Sequence, residues 1–187
     1  VRDKSAFRRG VKRLQTLGHE VEVDEAALAS FQRFAGDDAT RLAAIHRAAA
    51  SGADVAMVSR GGYGLTRILG GVKYKAVAKS IEKGTWFVGL SDFTAFQNAV
   101  LAKTGALTWA GPSLCEGFGV SVKAGSPDGH DGGPDEIMEA CFEDLLQGRG
   151  EGAGWRQHKE RESDIAEAGS FHARRLGEAA CFSLHDA

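Results

Sequence analysis

Thr85-Trp86-Phe87-Val88-Gly89-Leu90-Ser91-Asp92-Phe93-Thr94, continued by Ala95 to Lys103, decides the fold. Trp86 to Leu90 is an apolar run of strand length, and Ala95, Phe96, Ala99 and Val100 recur at the three-and-four spacing of one helical face. Ser91 therefore stands at a strand-to-helix turn. A nucleophile elbow holds its serine at such a turn, above the carboxyl end of a parallel sheet, with a glycine two residues earlier to leave room. The helix that follows aims free backbone N–H groups at the same point and stabilises negative charge developing there. A cap is the competing reading. A serine or aspartate before a helix commonly caps it, and Thr94 with Gln97 has the capping-box pattern.

On the amino-terminal side, Phe7, Val11, Leu14 and Leu17 form one helical stripe over Ala6 to Leu17, stopped by Gly18. His19 to Val23 alternates with period two and predicts a half-buried strand. Asp24 to Gly36 mixes helix and loop signals. Asp37 or Asp38 caps a helix through Ala50 that buries Leu42, Ile45, His46 and Ala49, with His46 read as a hydrogen-bonded core residue. Ala53 to Val58 predicts a buried strand. Ser59-Arg60-Gly61-Gly62-Tyr63-Gly64 follows at once, and its glycines let the backbone approach a ligand and turn N–H groups toward an anion. An oxyanion hole, a phosphate loop and a plain turn are all compatible with it, although the Gly-Lys-Ser/Thr ending of a P-loop is absent.

Tyr74 to Lys83 predicts a helix with Val77 and Ile81 inward, and Ala106 to Trp109 a further strand before Gly111-Pro112. Such alternation of helices and strands specifies an α/β fold: a parallel sheet with helices on both faces and ligands at the carboxyl ends of its strands. Ser91 and the glycine loop both fall there. From Val120 the glycines and prolines between 125 and 134 mark a linker, and Asp135 to Leu146 resumes a helix burying Ile137, Met138, Cys141, Phe142 and Leu145. Gln157 to Ala187 is charged and loses periodicity. The expected division is 1–119 for an α/β domain, 120–155 for a linker and connecting helix, and 156–187 for the aberrant start of a further domain.

Among the 187 residues, 43% are hydrophobic and 26% charged, which is the composition of a globular protein with a real core. Lys plus Arg number 23 against 25 for Asp plus Glu, a formal charge of -2 without a basic block, so no nucleic-acid partner is expected. No apolar run has the length of a membrane span and no segment resembles a signal peptide, giving the expectation of a cytoplasmic protein. Cys115, Cys141 and Cys181 are odd in number and unpaired in spacing, as reduced structural thiols are. The histidines lack ligand spacing, so no metal site is expected.

Taken together, Ser59-Arg60-Gly61-Gly62-Tyr63-Gly64, Val88-Gly89-Leu90-Ser91-Asp92-Phe93-Thr94-Ala95, and Ala102-Lys103-Thr104-Gly105 with Ala110-Gly111-Pro112 resemble the LD-carboxypeptidases. That serine peptidase family includes muramoyltetrapeptide carboxypeptidase and the microcin self-immunity peptidases. Met138 to Trp155 resembles its interdomain helix and connector. The resemblance implies a class I glutamine-amidotransferase-like (flavodoxin-like) amino-terminal domain followed by a smaller second domain, which is expected to be largely missing here. It implies cofactor-free hydrolysis of the bond to a terminal D-amino acid, as in releasing D-alanine from murein tetrapeptides during peptidoglycan recycling. A murein or similar small peptide is then the partner, and homodimerisation stays open.

Residue by residue, Ser91 matches the nucleophile and the Asp92 backbone N–H one oxyanion donor, with Gly61 or Gly62 supplying the second. Arg60 is a candidate for the substrate's terminal carboxylate through a forked pair, against a structural ion pair. The family's triad glutamate and histidine belong to its second domain, and neither His172 nor His185 is nominated for them. The expectation is a chain inactive and poorly stable alone. Two alternatives of a different class are a non-catalytic α/β binding module and a phosphate- or nucleotide-binding domain using Gly61 to Gly64.

Overall fold

The computed structural model describes residues 3–122, 133–149, 152–156 and 179–183. By its internal contacts the chain divides into two compact units, Val1–Gly133 and Pro134–Ala187.

In the first unit, helix α1 (Lys4–Thr16) begins at Asp3, whose carboxylate accepts from the N–H groups of Ser5 and Ala6. Its buried stripe is Ala6, Phe7, Gly10 and Leu14. Helix α2 (Asp38–Ser51) is capped by Asp37 and closed by a left-handed Gly52. Strand β1 (Val55–Met57), helix α3 (Tyr74–Glu82), strand β2 (Trp86–Gly89), helix α4 (Phe93–Thr104) and strand β3 (Trp109–Ala110) follow in order. The strands form a parallel sheet in the order β1-β2-β3. Two parallel strands need a crossover between them, and α3 and α4 are those crossovers.

Alternation along the strands separates the two faces. Ala56 and Phe87, which are register partners, join Val72, Val77, Phe96 and Val100 in a core that Leu42, Ile45 and Ala49 of α2 also reach. Phe96 and Val100 contribute the α4 side of that core, and both are fully buried. The predicted helical face of Ala95, Phe96, Ala99 and Val100 is thus turned inward at its two largest members. On the opposite face of β2, Trp86 meets Trp109 edge to face, with ring centroids 6.1 Å apart.

Two strand expectations need correction. His19 to Val23 forms no strand, and Val23 is 43% exposed. At its end Asp24 accepts a forked pair from Arg47 of α2, at 2.8 and 2.9 Å. Ala106 to Trp109 is extended later than expected, with the ladder confined to Trp109–Ala110. Leu107, the apolar residue that suggested an earlier start, is 67% exposed. His46 is half-buried and accepts from the Lys73 N–H at 3.1 Å, as a hydrogen-bonded rather than ligating histidine does.

In the second unit, helix α5 (Glu136–Leu146) starts at Asp135, whose carboxylate caps Ile137 and Met138. Met138 and Phe142 are buried as expected and Glu139 joins them, while Ile137, Cys141 and Leu145 are only partly covered. Strand β4 (Gly152–Arg156) pairs antiparallel with β5 (Ala179–Ser183), an element that the aperiodic sequence after Gln157 did not announce. His172 and His185, and the linker residues 123–132, lie outside the described residues.

Candidate active site at the end of strand β2

Ser91 occupies the junction between β2 and α4 with φ 62, the left-handed region that L-residues avoid. Gln32 is the other described non-glycine residue with positive φ. A serine kept in that conformation costs on the order of 1–2 kcal/mol, so the surrounding structure must over-determine it. Gly89 makes the turn sterically feasible. A Cβ on Gly89 would overlap Val58 and come within 2.6 Å of the Phe93 ring.

The capping-box reading fails. Gln97 is buried and donates to the Trp109 carbonyl at 2.8 Å, tying α4 to β3 rather than closing its own helix. Asp92 occupies the cap position, but its side chain makes no capping bond. Its carboxylate instead accepts from the Leu65 N–H, just beyond the glycine loop, at 3.0 Å.

That loop comes directly against the serine. A Cβ built on Gly61 would stand 2.8 Å from Ser91 Cβ and 3.2 Å from Ser91 Oγ, whereas one on Gly62 would meet open space. Among the described residues, the N–H groups of Gly61, Gly62 and Asp92 have no hydrogen-bond acceptor. Donors left unpaired beside an exposed hydroxyl are what acyl chemistry requires, since they stay free for an oxyanion.

Arg60 does not project freely. Its Nε donates to Glu116 Oε1 at 3.1 Å, and both side chains are about half exposed. Glu116 lies in a π-helical turn, Leu114–Phe118, started by the buried Ser113, whose hydroxyl accepts from the Glu116 N–H and donates to its carboxylate. The same turn fastens the root of the glycine loop, because Leu114 and Cys115 donate to the carbonyls of Val58 and Ser59. Sequence reasoning missed Glu116 and the Asp92 carboxylate. Neither has a local signal, since each acts on a residue far away in the chain.

Burial pushes the Cys115 thiol up, away from thiolate chemistry. Among the described residues no group of three or more His, Cys, Asp or Glu side chains could hold a metal ion. No described helix is long and apolar enough to cross a membrane.

The sequence family described as LD-carboxypeptidase N-terminal domain matches residues 1–111. Among solved structures, the chain is similar to muramoyltetrapeptide carboxypeptidase from Oxalobacter formigenes, with 29% identity and a TM-score of 0.63 over 82% of this chain and 47% of that one. It is also similar to the microcin C7 self immunity protein MccF in complex with aspartyl sulfamoyl adenosine, at 22% identity and TM-score 0.62 over 84% and 43% of the two chains. An MccF-like protein from Bacillus anthracis matches at 23% and 0.57, over 81% and 41%. At identities below a quarter the last two speak to the fold alone. The chain spans less than half the length of each of these structures.

Proposed function

The chain belongs to the LD-carboxypeptidase family through its amino-terminal domain, and on that premise we propose that it carries the nucleophile and oxyanion half of a serine peptidase. The observation supporting this reading is Ser91 itself, held at φ 62 on the strand-helix junction with Gly61 packed against it. A serine that merely capped α4 would have no need of the strained conformation or of the glycine contact.

In the proposed reaction the substrate is a small murein-type peptide ending in a D-amino acid, the usual terminal residue being D-alanine. Ser91 Oγ attacks the carbonyl carbon of the preceding L-configured centre, and a base takes the hydroxyl proton. The resemblance puts that base, with the glutamate orienting it, in the family's second domain, so no described residue is assigned to it. The N–H groups of Asp92 and of Gly61 or Gly62 receive the developing oxyanion. Collapse expels the D-amino acid as the free amine, which takes up the proton, and water then hydrolyses the Ser91 ester. Arg60 would bind the terminal carboxylate by exchanging its bond to Glu116 for a bond to substrate. Chemistry of this kind belongs to cytoplasmic peptidoglycan recycling and uses no cofactor.

The test is D-alanine release from an L,D-tetrapeptide, measured for these 187 residues and for the same residues joined to a family second domain. The joined protein should release D-alanine, and Ser91→Ala should lower the rate by on the order of a thousandfold or more, as deletion of a triad serine does. Undiminished turnover in the Ser91→Ala protein rejects the mechanism.

A further inference from the structure

Asp3, Asp37, Asp92 and Asp135 each stand at the start of a helix, and only Asp92 does not cap it. The other three carboxylates accept from N–H groups of their own first turns. Asp92 gives up a bond typically worth about 1 kcal/mol and reaches the Leu65 N–H instead, at 3.0 Å.

The other end of that same peptide unit is also held. Gly64 O, the carbonyl joined to the Leu65 nitrogen, accepts from Arg41 Nη1 at 3.3 Å. The Arg41 side chain is 12% exposed, bonded to Asp38 at 2.6 Å, and its guanidinium carbon lies 4.4 Å over the centre of the Phe34 ring. Phe34 in turn fills the space beside Gly64, where a Cβ would come within 2.6 Å of its ring. A single peptide group therefore has a cation on its carbonyl and a carboxylate on its N–H, an arrangement aligned with its dipole and strengthened by both charges.

We propose that Asp92 and Arg41 are positioning residues which clamp the Gly64–Leu65 peptide and so set the glycine loop against Ser91. The inference rests on the nucleophile reading of Ser91 for its catalytic consequence and stands on geometry for the clamp itself. Asp92 serves twice under this arrangement, its backbone N–H facing the reaction and its side chain fixing the loop that supplies the second donor. Loop and serine are then referenced to one residue, and their spacing is insulated from motion elsewhere.

Two readouts, taken on these residues joined to a family second domain that supplies the base, test the clamp and the nucleophile separately. The first is amide hydrogen exchange at Leu65. The second is the rate at which a fluorophosphonate labels Ser91, with Ser91→Ala as the blank. Asp92→Ala should abolish Leu65 protection and slow labelling by about a hundredfold, the effect of misplacing a reacting group by roughly an ångström. Asp92→Asn, whose amide oxygen still accepts, should restore both. Arg41→Met, which keeps a stem over Phe34 but loses the donor, should slow labelling without a matching fall in Tm. It also serves if Asp92→Ala does not fold. Wild-type labelling and Leu65 protection in Asp92→Ala and Arg41→Met would overturn the proposal. If Ser91 is not labelled in the wild type, the nucleophile reading fails, and Leu65 exchange alone decides the clamp: protection lost in the variants supports it, protection kept refutes it.

Discussion

Gly61 lies so close to Ser91 that a methyl group on it would stand 2.8 Å from the serine Cβ and 3.2 Å from its Oγ. No side chain fits without moving one of the two. Gly61→Ala should therefore displace the loop and lower Ser91-dependent labelling or turnover by about a hundredfold. Gly70→Ala is the comparison, since a Cβ there meets nothing within 4 Å. Equal rates in the two variants would show that the contact has no functional weight.

Ser91 is expected to trade stability for position. Ser91→Gly removes the Cβ that the left-handed conformation opposes, and Ser91→Ala keeps it. Urea unfolding should find the glycine variant more stable than the alanine variant by about 1 kcal/mol, with neither of them reactive. An alanine variant as stable as the glycine one would remove the argument from strain.

Gln97 is 8% exposed, and its amide donates to the Trp109 carbonyl at 2.8 Å. Gln97→Met keeps the length of the side chain and removes the donor. The expected loss is about 1–3 kcal/mol, the cost of taking one partner from a buried hydrogen bond. Chemical denaturation measures it, and an unchanged midpoint would place the join between α4 and β3 elsewhere.

The forked bond from Arg47 holds the Asp24 carboxyl below the usual aspartate range. A carboxyl whose folded value is depressed stabilises the fold fully above its unfolded value of about 3.9, and the contribution is lost as pH falls through the lowered folded value. Tm of the wild type should therefore exceed that of Asp24→Asn at pH 7, and the gap should close on acidification below about pH 4. A gap that widened in acid would contradict the assignment.

Where pattern and chemistry coincide locally, the structure was legible in advance. Gly89 and Ser91 announce a turn by their own spacing, and the caps at Asp37 and Asp135 lie where a helix start was read. Failures came where a local pattern lacked its distant partner. Val21 and Val23 alternate as a strand does, yet Asp24 is claimed by Arg47, and no described strand pairs with them. Gln97 sits where a capping residue would, but burial turned its amide toward β3. Arg60 was read as open to substrate or to an ion pair, and only the fold brought Glu116 to it. The Asp92 carboxylate was overlooked because its backbone already had a role.

The π-helical turn that fastens the glycine loop bears on the order in which the molecule comes together. Leu114 and Cys115 bind the carbonyls of Val58 and Ser59, and Glu116 binds Arg60 across 56 positions of chain. Closing so long a loop costs entropy before any contact rewards it, so these bonds belong to the late stages of folding. A nascent chain extended only through α4 already has Ser91 and the glycines that face it, while the turn that anchors the loop is still unsynthesised. The serine is thus made early and its surroundings are locked late.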